Sequence, residues 1–134
     1  MTAGRTAEEW GRIAVSLPGW RWMPGMLACH GSWSARVVER KRTGGARLSG
    51  GGDVGHGCWP DPDDSATAGC LLALLSDTFA PLATGFGDGF VVCLIVDGTT
   101  IEGTGSTLGR ACIAAAEALG RWPNLAESGQ KGAE

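Results

Sequence analysis

The chain has 134 residues, 43% of them hydrophobic, and a formal net charge of −3. That is enough apolar material for one core and too much for a disordered chain, and the charge has the wrong sign for a field that grips a phosphate backbone. No apolar run reaches the roughly 18 residues of a membrane span, and the polar start Met1–Glu9 lacks the layout of a signal peptide, so a cytoplasmic protein with no membrane partner is expected.

The first predicted element is a helix over Ala7–Leu17. Thr6 and Glu9 stand in capping-box spacing, where each side chain satisfies an orphan backbone N–H. Trp10, Ile13, Ala14 and Leu17 recur at helical spacing, and Pro18-Gly19 stops the run. Trp20 and Trp22 follow in an aromatic corner. Two residues apart in an extended segment, they face one way. They either plug the core where the helix meets a sheet or anchor a partner, since Trp and Arg dominate interface hot spots.

Leu27–Cys29, Trp33–Lys41 and Ala46–Ser49 read as short strands. This ribbon carries Arg36, Arg40, Lys41, Arg42 and Arg47, five of the chain's eleven cations. Charge on a hairpin edge ordinarily blocks unwanted strand pairing. The other readings are a grip on an acidic protein surface or on nucleic acid. Nucleic acid is disfavoured, because fourteen acids oppose eleven cations and no aromatic alternates with the charges as a stacking platform requires. Between Gly44 and Gly57, seven of fourteen residues are glycine, which reads as a mobile loop.

A second helix is expected to open at Asp61–Asp64 and to run on through the apolar stretch Ala66–Phe79. Asp61 is its N-cap, Pro62 sits in its first turn, and Asp63 and Asp64 complement its dipole. Its residues are apolar nearly all round, which predicts burial between layers. Gly85–Gly89 is a break. Phe90–Val96 and Thr99–Glu102 are strands joined by Asp97-Gly98, a turn that needs positive φ at both central positions. The last helix covers about Thr107–Gly120, with Ser106 as a plausible cap, and Pro123 ends it. This order predicts a single α+β domain over 6–122, in which three helices cover a small antiparallel sheet of about four to five strands. A polar, disordered tail over 123–134 follows.

Several motifs invite a catalytic or ligand-binding assignment. Gly50–Gly55 matches G-x-G-x-x-G, but His56-Gly57-Cys58-Trp59-Pro60 cannot open the helix that would hold a pyrophosphate. Gly103–Gly109 lies between strand and helix, the right local context. No parallel strand with a ribose-binding acid follows it, and no lysine follows the glycines as in a P-loop. A tight strand-to-helix turn is the simpler account, with anion binding as the alternative. Cys29, His30, His56 and Cys58 could supply a metal site or a nucleophile pair. The C-x2-C spacing is absent, and no third, orienting group stands out. The five cysteines, an odd count, argue against a disulfide framework. Cys70, Cys93 and Cys112 sit in apolar stretches as small hydrophobes. No catalytic residue, cofactor or metal is therefore assigned.

Three stretches carry a family resemblance: Leu17–Met26, Asp61–Leu75, and the closing strand-turn-helix that ends at Leu119. Their layout resembles the phage "ABA sandwich" domain of small bacteriophage and prophage proteins, in which helices cover both faces of a small sheet. The resemblance spans about residues 6–122 and brings no catalytic residues with it. It implies a non-enzymatic accessory protein in the host bacterial cytoplasm. Such a protein binds a host protein or defence complex, for instance as an inhibitor of CRISPR. The candidate partner-binding residues are Trp20, Trp22, Arg36, Arg40, Lys41, Arg42 and Arg47. The alternatives are a protein that sequesters a small molecule or nucleotide and a nucleic-acid-binding accessory protein.

Overall fold

The computed structural model describes residues 5–41, 45–55, 57–76 and 81–123. Among them are three helices and seven strands, arranged as an α+β fold with two antiparallel sheets. Helix α1 (Ala7–Ser16) opens on the expected capping box. The Glu9 N–H donates to the Thr6 hydroxyl at 3.1 Å, and the Thr6 N–H donates to the Glu9 carboxylate at 2.7 Å. Pro18 has no N–H to offer the Ala14 carbonyl, which would be its partner four residues back. The Trp122 indole N–H takes that place at 2.9 Å, while the Trp122 backbone N–H donates to the Pro18 carbonyl. The end of α1 and the end of the last helix are thereby tied together.

The first sheet contains β1 (Leu27–His30), β2 (Trp33–Arg40), β3 (Ala46–Leu48) and β4 (Trp59–Pro60), in the order β3-β2-β1-β4. Its buried positions include Ala28, Val37, Ala46 and Leu48. The glycine-rich segment after β3 folds back on it. The Leu48 N–H donates to Gly52, the Val54 N–H donates to Ala46, and Arg47 bridges to Asp53. The segment Gly50–Gly55 is thus a strand return, and no helix follows it. His56 lies outside the described residues.

Helix α2 (Ser65–Ser76) starts later than the sequence suggests. Asp61 accepts the N–H of Asp63 on its side chain and the N–H of Asp64 on its carbonyl, making a turn ahead of the helix. The capping side chain is Asp64, which accepts the Thr67 N–H at 2.9 Å. The assignment of Asp61 as N-cap and Pro62 to the first turn is therefore corrected. The Asp63 carboxylate is engaged by Thr107 and Arg110, as described below. Burial of α2 is one-sided, with Thr67, Ala68, Leu71, Leu74 and Leu75 inside and Ala66, Gly69 and Ala73 exposed. The expected residues 77–79 of this helix lie outside the described set.

The second sheet contains β5 (Leu82–Phe86), β6 (Gly89–Val96) and β7 (Thr99–Gly105), in that order. The expected antiparallel strands are thus divided between two sheets, because the α2 segment separates two sets of hairpins that each pair locally. Strand β5 falls where a glycine-rich break is expected. Only its turn, Gly87-Asp88, behaves as one. The Asp97-Gly98 turn has positive φ at both residues, 51° and 79°. Helix α3 (Leu108–Leu119) is capped by Thr107, in place of Ser106, and closes on Gly120 in the left-handed region at φ 95°. It packs on β6 and β7 and against α1 and α2. Its buried residues Ala111, Cys112, Ile113, Ala115 and Ala116 lie at the centre of one hydrophobic core. Residues 124–134, expected as a disordered tail, lie outside the described set.

Candidate functional site

The tryptophan corner is core. Trp22 is 8% exposed, and its ring meets Trp20 edge to face at 5.3 Å. Trp20 in turn tilts against the buried Trp122 at 5.7 Å. The cluster bridges the Pro18 turn to the end of α3, the plug that two tryptophans in an extended segment allow. Its aromatic faces are spent on one another.

The basic ribbon is mostly neutralised from within. Arg36 donates to Asp64 at 2.6 Å and to the Gly25 carbonyl at 3.0 Å. Lys41 pairs with Asp53 at 2.7 Å, and Arg47 pairs with Glu39 at 2.9 Å, its cross-strand neighbour. Arg40 is exposed and has no ion-pair partner among the described residues, while Arg42 lies outside them. Exposed pairs of this kind contribute little stability, but they remove much of the positive field that a polyanion would meet.

The glycines of the 103–109 segment serve packing. A Cβ at Gly103 would collide with the backbone of Ala111 and Ala114–Ala115, and one at Gly109 with the backbone of Pro62. These residues let α3 lie directly on β7 and on the turn before α2. The start of α3 is filled by the chain's own carboxylate: Asp63 accepts the Thr107 hydroxyl at 2.9 Å and two donors of Arg110 at 2.9 and 2.8 Å. Arg110 holds the Asp63 carboxyl below its ordinary range, helped by Thr107 against the opposing effect of burial. An open pocket of about 250 Å³ lies beside this pair, floored by Ala68, Phe90 and Leu108.

Two of the thiols, Cys29 and Cys112, are poised against nucleophilic chemistry. Burial pushes Cys29 up to about 11, with Asp61, Asp64 and Cys58 adding to it, and burial alone pushes Cys112 up to about 12. A thiol so raised carries almost no thiolate at neutral pH. His30 lies on Trp33 at 6.0 Å between ring centroids. Among the described residues no three His, Cys, Asp or Glu side chains stand together as metal ligands.

One surface escapes the sequence reading: the face of the second sheet turned away from α3. Strand alternation puts Phe90, Val92, Leu94 and Val96 toward the helix, and Val92 and Leu94 are fully buried. Val91, Cys93 and Ile95 take the opposite face. The register aligns them with Thr104, Glu102 and Thr100 of β7, and brings Leu82 beside Cys93 and Thr84 beside Val91. Leu82 is 65% exposed, Phe86 57% and Ile95 52%, so no element among the described residues covers this face. The only signal was Phe90–Val96 itself. A strand apolar at every position demands cover on both sides, and here α3 supplies one. No family model, curated protein or solved structure matches the chain.

Proposed function

We propose that this is a non-enzymatic accessory protein that acts by binding another protein through the open face of the β5-β6-β7 sheet. The carrying observation is the set of apolar side chains Leu82, Phe86, Val91, Cys93 and Ile95 on one face, with Leu82, Phe86 and Ile95 more than half exposed and Thr84 and Glu102 among them. A small monomer rarely exposes such a patch unless a partner covers it. The raised thiols support the non-enzymatic part of the reading. The resemblance to small phage domains names the class of partner, a bacterial host protein of a defence complex. Trp20, Trp22, Arg36, Lys41 and Arg47 move to a secondary place, because they make their contacts within the chain, while Arg40 stays exposed with no ion-pair partner among the described residues.

The test is affinity capture from a bacterial lysate containing defence complexes, with the wild type and an Ile95→Glu variant side by side. Ile95 is exposed, so the variant keeps its fold. The reading requires a host protein retained by the wild type and lost by the variant at an unchanged melting temperature. Equal retention by both, or retention of no protein, rules the face out.

A small-molecule binder is the second reading, favoured by the pocket between the starts of α2 and α3. At about 250 Å³ it falls below the usual range of ligand sites, and Asp63 at its rim is already satisfied. Calorimetric titration with cyclic dinucleotides decides this reading, and absence of heat removes it.

A further inference from the structure

The edges of the two sheets are treated unequally. The outer edge of β3 is covered by its own return through Gly52–Val54. Strand β4 is two residues long, contains Pro60 and packs against α1. Strand β7 carries Glu102 and lies under α3. These are the ordinary means by which a sheet avoids pairing with another chain. Among the described residues, strand β5 has none of them. Its sequence, Leu-Ala-Thr-Gly-Phe, holds no charge and no proline, and all five residues are exposed. Three edges are guarded, and among the described residues nothing guards the fourth.

The bare edge is complementary to itself. Its hairpin closes on the two-residue turn Gly87-Asp88, with Phe86 opposite Gly89. In a two-residue hairpin the closing pair is hydrogen-bonded, so Phe86, Thr84 and Leu82 turn their backbone groups toward β6. Ala83 and Gly85 turn theirs outward. A second β5 running antiparallel about a two-fold axis at Thr84 sets Ala83 against Gly85 of the other copy and Gly85 against its Ala83. All four outward N–H and C=O pairs are then satisfied. Thr84 faces Thr84, and Leu82 faces Phe86 twice, on the same uncovered face. Any other register loses either the hydrogen bonds or the Leu–Phe matching. With no charge on the strand, two copies of a chain of net charge −3 meet there without local repulsion.

We propose that a second copy of this chain occupies the β5 edge, joining two three-stranded sheets into one six-stranded sheet with an isologous interface. The helices then lie on one side, and the other side presents a doubled apolar face with Leu82 and Phe86 at its centre. The inference concerns the edge and holds whatever covers the face. A five-residue edge is small against a standard interface, so the dimer forms in the micromolar to millimolar range.

Sedimentation over that range is expected to move the mass from 13.8 kDa toward twice that value, and Thr84→Glu, which opposes two carboxylates on the axis, is expected to hold it at 13.8 kDa. Thr84→Cys reports the register directly. A non-hydrogen-bonded antiparallel pair sets its Cα atoms about 4.5 Å apart, within disulfide reach. Mild oxidation should therefore cross-link this variant into a dimer while the wild type, with its native thiols, stays uncross-linked. A chain that sediments as monomer throughout, with Thr84→Cys no more cross-linked than wild type, overturns the proposal and leaves the edge to a foreign strand. Ile95, on the central strand, is not part of this contact, so capture lost by Ile95→Glu and dimerisation lost by Thr84→Glu fail independently.

Discussion

Individual residues here are fixed by what their neighbours lack. The Ala14 carbonyl loses its helical partner to Pro18 and regains one from Trp122, whose ring is fully buried. Trp122→Phe leaves that carbonyl unpaired and a void beside it. We expect a loss of about 2–4 kcal/mol, read as a lower urea midpoint at constant m-value. Gly103 is small because α3 lies on its backbone. Gly103→Ala forces the helix off the strand and should cost about 2–3 kcal/mol by the same measurement. An anion-binding glycine there would show little stability loss and a loss of ligand affinity in its place. At Cys93, burial and the neighbouring Glu102 raise the thiol above its ordinary value. Glu102→Gln removes the charge and should speed alkylation of Cys93 at mildly alkaline pH, followed by peptide mass.

At the scale of elements, local signals carried far where local physics decides. Thr6 and Glu9 announce the capping box, and Asp97-Gly98 announces its hairpin. Elsewhere tertiary partners override the local signal. Asp61 has the right neighbours for a cap, but Asp63 is drawn to Arg110 and Thr107 on α3, Asp61 turns the chain, and Asp64 caps. Strand β5 was hidden because Thr84-Gly85-Phe86-Gly87 has the composition of a loop, and only pairing with β6 makes it a strand. The open face was hidden for a related reason: alternation shows that Val91, Cys93 and Ile95 share a side, but not that no element among the described residues covers it. The basic ribbon was legible as a cluster, while the internal partners Asp64, Asp53 and Glu39 follow only from the folded geometry. The same carboxylates give a pH signature. Burial alone would raise Asp64, yet bonds from Arg36 and from the Thr67 N–H and hydroxyl outweigh it, and Arg110 lowers Asp63. Both titrate below the ordinary 3.8 in the folded chain, so their contribution is complete above that value and is lost as pH falls through the folded pKa. Asp64→Asn should therefore lower the urea midpoint at neutral pH and reduce its fall toward about pH 3.

For the whole molecule, the distribution of cover is the informative feature. Helix α3 contacts both other helices and closes one side of the second sheet, and the core is built around it. The opposite side of that sheet keeps apolar side chains that no element among the described residues covers. If this surface meets a protein partner, as we propose, Cys93 stands on it as a native reporter. Cys70, on α2 against Pro24, serves as the control away from it. The direct measurement is the alkylation rate of each thiol, by peptide mass, in the free protein and in complex with the captured partner. Cys93 should slow several-fold on binding while Cys70 keeps its rate. An unchanged Cys93, with capture abolished instead by Arg40→Glu on the ribbon, would contradict the proposal.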